Sequence, residues 1–200
     1  VTALALIDAG GANIGSVRYA LGRLGVEAQL TTDAQVIRGA QRVILPGVGA
    51  AAQVMARLRE LDLIDTLRSL EAPLLGVCVG MQVLFEHSEE DDTPCLGLLA
   101  GRVGKLPVAA GIRVPHMGWN TLTPTRAASL TAGIGAQDQA YFVHSYAAPV
   151  GEDCLSTTTH GQAFAAVVQR GRVAGAQFHP ERSAATGARL LRNFIEYGLA

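Results

Sequence analysis

The sequence predicts an α/β protein: a doubly wound, mostly parallel sheet with antiparallel strands in its C-terminal half. Three observations predict it. The N-terminal half alternates short apolar runs with stretches whose apolar residues recur at helical spacing. The C-terminal half carries short strand-like runs separated by turn signals. The 200 residues are 49% hydrophobic and 16% charged, the composition of a globular chain with a substantial core. Residues 1–200 read as one domain, with no repeat, low-complexity tract or linker to divide them.

The elements follow in order. Val1 to Ile7 is apolar but short and lacks a basic leader, so no signal peptide is expected and Ala3–Ile7 reads as a buried strand. Ile14–Leu24 reads as a helix through Val17, Ala20, Leu21 and Leu24. Val26–Leu30 reads as a strand, Ala34–Ile37 as a helical turn, and Arg42–Leu45 as a strand ending at Pro46-Gly47-Val48-Gly49. Ala50–Leu70 reads as one long helix through Val54, Leu58, Leu61, Ile64 and Leu67. Leu74–Val77 is a strand, and the residues from Met81 to Phe85 suit a helix. This order implies parallel strands with helices on both faces.

Beyond it, Glu86–Thr93 is acidic and reads as a solvated loop or helix end. Leu98–Leu106, Thr121–Leu122, Tyr141–Ala147, Cys154–Thr159 and Phe164–Gln169 read as short strands. Arg170-Gly171-Arg172 signals a hairpin into Val173–Phe178. Ala184–Tyr197 reads as a last helix that packs Ala188, Leu191, Phe194 and Ile195.

A formal net charge of −1 gives no footprint for nucleic acid. No run is long enough to span a bilayer. Three cysteines, none in a C-x-x-C pair, argue against a disulfide framework or a zinc site and suit a reducing, cytoplasmic setting. No metal or cofactor is expected. Cys95 and Cys154 read as packed thiols, and His87 and His160 as solvated.

The chemistry centres on Gly76-Val77-Cys78-Val79-Gly80. A strand that turns sharply into a helix with a nucleophile at the apex is a nucleophile elbow, here with a thiol. The flanking glycines suit a strained apex that neighbours must pass closely, and the adjacent helix N-terminus favours a thiolate. A base is needed, and Phe178-His179-Pro180-Glu181 follows a strand-like run. In extended chain, residues two apart share a side, so His179 and Glu181 face one site. Cys78, His179 and Glu181 then form nucleophile, acid/base and orienter. Pro46-Gly47-Val48-Gly49 leaves backbone N–H groups free for an anion, and with Val79 N–H it suits an oxyanion hole, although the same loop also fits an ordinary turn. A dinucleotide site at Gly10-Gly11-Ala12-Asn13-Ile14-Gly15, with Asp33 beyond, lacks the Gly-x-Gly-x-x-Gly spacing.

The Pro-Gly-Val-Gly loop, the elbow and the final His-Pro-Glu, in this order along the chain, resemble the class I (triad) glutamine amidotransferases. The resemblance implies a flavodoxin-like fold, with Cys78, His179 and Glu181 as the triad and Val48, Gly49 and Val79 at the oxyanion. Gly80-Met81-Gln82 differs from the Gly-His-Gln of the anthranilate and carbamoyl-phosphate branches. Asn13 with Ser16-Val17, Pro115-His116-Met117-Gly118-Trp119-Asn120 and Tyr141-Phe142-Val143-His144-Ser145-Tyr146 are similar to the branch of glutaminase subunits of imidazole glycerol phosphate synthases. Val79 and Ala51 depart from that branch, which commonly has Leu and an aromatic there.

That likeness implies hydrolysis of L-glutamine, with Gly49, Gln82 and the backbone at His144, Ser145 and Tyr146 binding it. It also implies delivery of ammonia to a (β/α)8-barrel cyclase subunit in a heterodimer. Asn13, Trp119, Asn120 and Tyr141 are the expected partner face. Trp119, the only Trp, otherwise reads equally as core. Two other readings stay open: the glutaminase of pyridoxal phosphate synthase, and a thiol sensor on a flavodoxin-like fold.

Overall fold

Strands buried almost throughout open the chain in the computed structural model, which describes residues 3–199. Val1 and Thr2 of the first apolar run lie outside the described residues. The strands β1 (Leu4–Ile7), β3 (Arg42–Gly47) and β4 (Leu74–Cys78) bury nearly every side chain, as parallel strands covered on both faces must. β2 (Ala28–Thr31) is the more exposed edge. Between them lie α1 (Ile14–Arg23), α2 (Ala34–Gly39), α3 (Ala51–Glu60), α4 (Ile64–Arg68) and, directly after β4, the short α5 (Val79–Gln82). The Asp33 side chain accepts from Gln35 N–H at 2.7 Å and caps α2, so it holds a helix start instead of a ribose.

The remaining strands are β5 (His87–Ser88), β6 (Thr93–Pro94), β7 (Arg102–Lys105), β8 (His116–Thr121), β9 (Thr123–Pro124), β10 (Gln139–His144), β11 (Tyr146–Ala147), β12 (Cys154–His160), β13 (Gln162–Arg170) and β14 (Val173–Ala176), before α6 (Ala184–Tyr197). The main sheet runs β2-β1-β3-β4-β14-β13-β12-β9. It is parallel from β2 to β14 and antiparallel beyond. β8 pairs with β10, and β11-β7-β5-β6 forms a third small sheet. The parallel part has the flavodoxin-like order, in which ligands bind beyond the carboxyl ends of the strands. No helix among the described residues is long and apolar enough to cross a membrane.

Several expectations change. The predicted helix Ala50–Leu70 is two helices, because Asp62 takes φ 54° and turns the chain between them. Leu63, off the apolar face of α3, is thereby fully buried. The strand expected over Leu98–Leu106 is confined to Arg102–Lys105, and that over Tyr141–Ala147 breaks at Ser145. Val26 belongs to the turn closing α1, where its N–H reaches the Leu21 carbonyl at 3.1 Å. Thr121 ends β8 instead of starting a strand. α5 stops at Gln82, short of Phe85. On α6, Ala188 is only half-buried, and the packed face runs through Gly187, Leu190, Leu191, Phe194 and Ile195.

The acidic stretch Glu86–Thr93 keeps Glu86, Glu89, Asp91 and Asp92 exposed and carries one helical turn at Glu90–Asp92, but it is tied to the rest of the chain. Its carboxylates accept backbone N–H groups: Glu86 from Gly101 at 2.9 Å, Glu89 from Lys105 at 3.0 Å and Glu90 from Ala51 at 2.8 Å. His87 is mostly buried and pairs with Asp92 at 3.0 Å. His160 stacks on His116 with centroids 4.2 Å apart.

Register brings the strand ends level. Gly47 stands opposite Cys78, and Val77 opposite Ala176, so β3, β4 and β14 finish side by side. The chain leaving β4 crosses so close to β3 that a Cβ on Gly80 would land on the Leu45 carbonyl oxygen. Gly187 of α6 meets the Pro180 carbonyl in the same way. Backbone faces backbone at both places, so neither contact can relax by a rotamer change. Gly80→Ala is expected to cost about 2–3 kcal/mol, read as a drop in the chemical-denaturation midpoint; an unchanged midpoint would contradict the packing.

Candidate active site

Cys78 ends β4 with φ 55° and ψ −114°, a backbone state that a non-glycine residue holds only under constraint. The sharp turn places its thiol at the carboxyl edge of the sheet, 2% exposed. Its sulfur lies 3.9 Å from the Val143 carbonyl and 3.9 Å from Gln177 Nε2.

β14 leads to His179. Beyond Ala176 the chain continues through Gln177 and Phe178 to His179, whose N–H donates to the Tyr141 carbonyl at 2.9 Å. Ser183 Oγ donates to the His179 carbonyl at 2.6 Å and accepts from Tyr141 N–H at 2.9 Å, locking the segment to β10. His179 Nδ1 lies 2.9 Å from Glu181 Oε1, and both side chains are buried. Burial alone would lower the imidazole's pKa. Hydrogen bonds and charge from Cys78 and Glu181 outweigh it and raise His179 to about 10. The ring is an imidazolium at neutral pH. Glu181 Oε2 is buried without a partner.

A cavity of about 250 Å³ opens on this edge, lined by Cys78 and His179 and by Val48, Gly49 and Val79. Gln82, His144, Ser145 and Tyr146 line it too, so each residue expected at the oxyanion or the ligand is present. Gly49 has φ 87°, a state the loop needs and glycine supplies.

The structure adds two groups that sequence reading missed. Glu90 brings a carboxylate to the cavity wall, and Gln177 bridges Gln82 Nε2, at 3.1 Å, to the thiol. The Glu90 signal lay in a stretch that looked solvated. Gln177, 95 residues from Gln82, carried no local signal.

Outside the cavity, Trp119 is 50% exposed, which removes the core reading. It packs edge-on against Tyr141, its cross-strand partner, at 5.9 Å, and Arg182 lies over the Tyr141 ring at 4.6 Å. Met117 on the same strand is also exposed. Both polar atoms of the Asn13 side chain are buried and unpartnered. Asn120 turns inward to His116 and to the Thr159 carbonyl.

A thiol on a strained elbow, an imidazolium held by a carboxylate and a cavity between them are the parts of a cysteine amidase. The sequence profile described as glutamine amidotransferase class-I matches residues 5–197, and the chain belongs to that family. It is 63% identical over 196 residues to the imidazole glycerol phosphate synthase subunit HisH of Xanthomonas campestris pv. campestris (strain 8004), covering 98% of each chain. It is 60% identical over 200 residues to the protein of that name from Xylella fastidiosa (strain Temecula1 / ATCC 700964), covering all of both. A crystal structure described as a glutamine amidotransferase superposes with a TM-score of 0.75 at 25% identity, covering 98% of each chain. A putative GMP synthase component from Thermoplasma acidophilum, 18% identical with a TM-score of 0.74 over 98% of this chain and 93% of its own, shares the fold.

The histidines in this wall, His144 and His179, and His116 behind it set a pH dependence of stability. Burial, reinforced by charge on His160, lowers His116 to about 4. Burial lowers His144 to about 3, against the raising effect of its hydrogen bond to Tyr146. Each gives stability that is complete above the unfolded value of about 6.5 and is lost as pH falls toward the folded value. His179 has the opposite sign: its contribution is complete below about 6.5 and is lost as pH rises through about 10. Between pH 6.5 and 5 the two neutral rings therefore set the slope, which rises toward a limit of about 1.4 kcal/mol per pH unit each at the acid end. The melting temperature is expected to fall over that interval, and less steeply in His116→Phe; equal slopes would contradict the assignment.

Proposed function

We infer that this chain hydrolyses L-glutamine to glutamate and ammonia and serves as the glutaminase subunit of an imidazole glycerol phosphate synthase in histidine biosynthesis. One observation carries the reading: Cys78 and His179, the latter held by Glu181, line one cavity in a chain that is 63% identical over 196 residues to a relative of that name. Three free cysteines suit a reducing cytoplasm.

The chemistry follows from the geometry. Glutamine lies with its side-chain amide over Cys78. The thiolate attacks the amide carbon, and the developing oxyanion takes hydrogen bonds from backbone N–H groups at Val79 and at the Val48-Gly49 loop. His179, already an imidazolium, gives its proton to the leaving nitrogen, and ammonia departs from a thioester on Cys78. The neutral imidazole then takes a proton from water as the water attacks the thioester, which frees glutamate and releases the Cys78 sulfur for the next turnover. Glu181 holds the ring and balances its charge throughout.

Recognition uses the rest of the wall. Gln82 and the backbone from His144 to Tyr146 bind the amino-acid portion of glutamine. Glu90 offers a carboxylate to the substrate's ammonium group.

Ammonia passes to a (β/α)8-barrel cyclase subunit in a heterodimer, where imidazole glycerol phosphate and aminoimidazole carboxamide ribotide form. The barrel docks on the face of Trp119, Tyr141 and Met117, with Asn13 as a further contact, whereas Asn120, expected there, points to the other side of its strand. An exposed Trp beside a Tyr is the kind of anchor that interface centres use. This face lies close to the chemistry, because the Tyr141 carbonyl holds His179. A thiol sensor would have no use for His179 and Glu181 in register. The pyridoxal phosphate synthase reading does not account for the likeness to the HisH relatives.

A glutamine-analogue electrophile is expected to label Cys78, with protection by glutamine; labelling that ignores glutamine would overturn the enzyme reading. Cys78→Ser is expected to lower ammonia release by about 10³-fold or more. Glu90→Gln is expected to raise the KM for glutamine by about tenfold with kcat little changed, and an unchanged KM would remove Glu90 from recognition. Adding the histidine-pathway barrel with its ligand is expected to increase ammonia release, and activation by a different barrel instead would overturn the pathway assignment.

A further inference from the structure

Three polar side chains tie the outer strand pair to the cavity, and their hydrogen bonds run in one direction only. The Tyr146 carbonyl can only accept, and His144 Nδ1 lies 2.8 Å from it, so Nδ1 carries the hydrogen. His144 is neutral at physiological pH, so its Nε2 is bare and accepts from His116 Nδ1 at 3.0 Å. His116 Nε2 is then also bare, and Asn120 Nδ2 donates to it at 3.2 Å. The second amide hydrogen of Asn120 goes to the Thr159 carbonyl at 3.0 Å, and its Oδ1 accepts from Thr121 N–H at 2.9 Å. Reversing one link would set two donors or two acceptors face to face. The His116 ring is held between Phe142 and His160, with centroids 4.8 and 4.2 Å away.

The chain ends where the ligand wall begins. The Tyr146 carbonyl accepts a second hydrogen bond, from Gln82 Nε2 at 2.8 Å. The remaining amide hydrogen of Gln82 goes to Gln177 Oε1 at 3.1 Å. With both hydrogens committed to protein, Gln82 offers the cavity an acceptor, Oε1. The orientation of that acceptor depends on the Tyr146 carbonyl, and the direction of the carbonyl depends on the histidine chain. Packing alone does not require this arrangement, because apolar side chains would fill the same space without a polar direction.

We propose that Asn120, His116 and His144 are positioning residues for glutamine: they fix the Tyr146 carbonyl, and through it the Gln82 amide, in the orientation that accepts the N–H groups of the substrate. The proposal rests on the glutaminase reading above. It gives Asn120 a role inside the subunit, separate from any contact with a partner.

The test uses the full chain. In wild type, long-range 1H–15N spectra at neutral pH are expected to show His116 and His144 protonated at Nδ1 and bare at Nε2. Asn120→Asp replaces the donor with a carboxylate that only accepts. While His116 stays neutral it must then carry its hydrogen on Nε2, so both rings reverse and His144 presents a bare nitrogen to the Tyr146 carbonyl. The glutamine concentration that half-protects Cys78 from iodoacetamide is expected to rise about tenfold in Asn120→Asp. Alkylation without glutamine is expected to stay within about twofold of wild type, because the triad is untouched.

His116→Asn places an amide N–H near the position of Nδ1 and is expected to keep protection within about threefold of wild type, whereas His116→Leu loses it. A merely structural role would move stability without reversing tautomers or separating these two variants. Wild-type rings protonated at Nε2, or reversed tautomers with unchanged protection, would overturn the proposal. If glutamine fails to protect even wild type, the glutaminase reading falls, and the proposal falls with it. The wild-type spectra discriminate between the two tautomer patterns even if a variant does not fold.

Discussion

The approach of Gly80 to the Leu45 carbonyl is the constraint on which the rest of the molecule depends. It lets α5 start directly on the end of β4, against the end of β3, with no room for a side chain. Cys78 is therefore the apex of a forced turn, and its positive φ is the local cost of placing a sulfur on the sheet's edge. Register does the remainder: β3 supplies the Gly47–Gly49 loop on one side of β4, and β14 supplies His179 on the other. A second backbone contact, Gly187 against the Pro180 carbonyl, sets α6 against the segment that carries His179 and Glu181.

The electrostatics of the wall divide its histidines by partner. His179 faces Cys78 and a buried carboxylate and is charged. His144 and His116 face a carbonyl, each other and an amide, and burial keeps them neutral. Three imidazoles thus reach different protonation states, as their partners dictate.

Much of this was legible in the sequence because its signals are local. The elbow, the glycine-rich loop and His179 with Glu181 each occupy a few consecutive residues whose types fix backbone shape and chemistry together. What stayed hidden depends on contacts across the chain. Gln177 meets Gln82 only through the pairing of β14 with β4, and His116 meets His144 only because β8 pairs with β10. Glu90 looked solvated because composition cannot show that a carboxylate will accept a distant backbone N–H. The periodicity from Val54 to Leu67 hid the break at Asp62, because the residue that break buries, Leu63, lies off the apolar stripe. Trp119 stayed open between core and surface until the pairing of β8 with β10 placed it outside.

The central claim is that the strained thiol at Cys78 takes the acyl group of glutamine. Rapid acid quenching of the enzyme during turnover, followed by mass analysis of its peptides, tests this most directly. A γ-glutamyl group on the peptide that carries Cys78, forming and decaying with ammonia release, is the predicted result. Ammonia release with Cys78 unmodified at every time, or with the acyl group on another residue, would contradict the account.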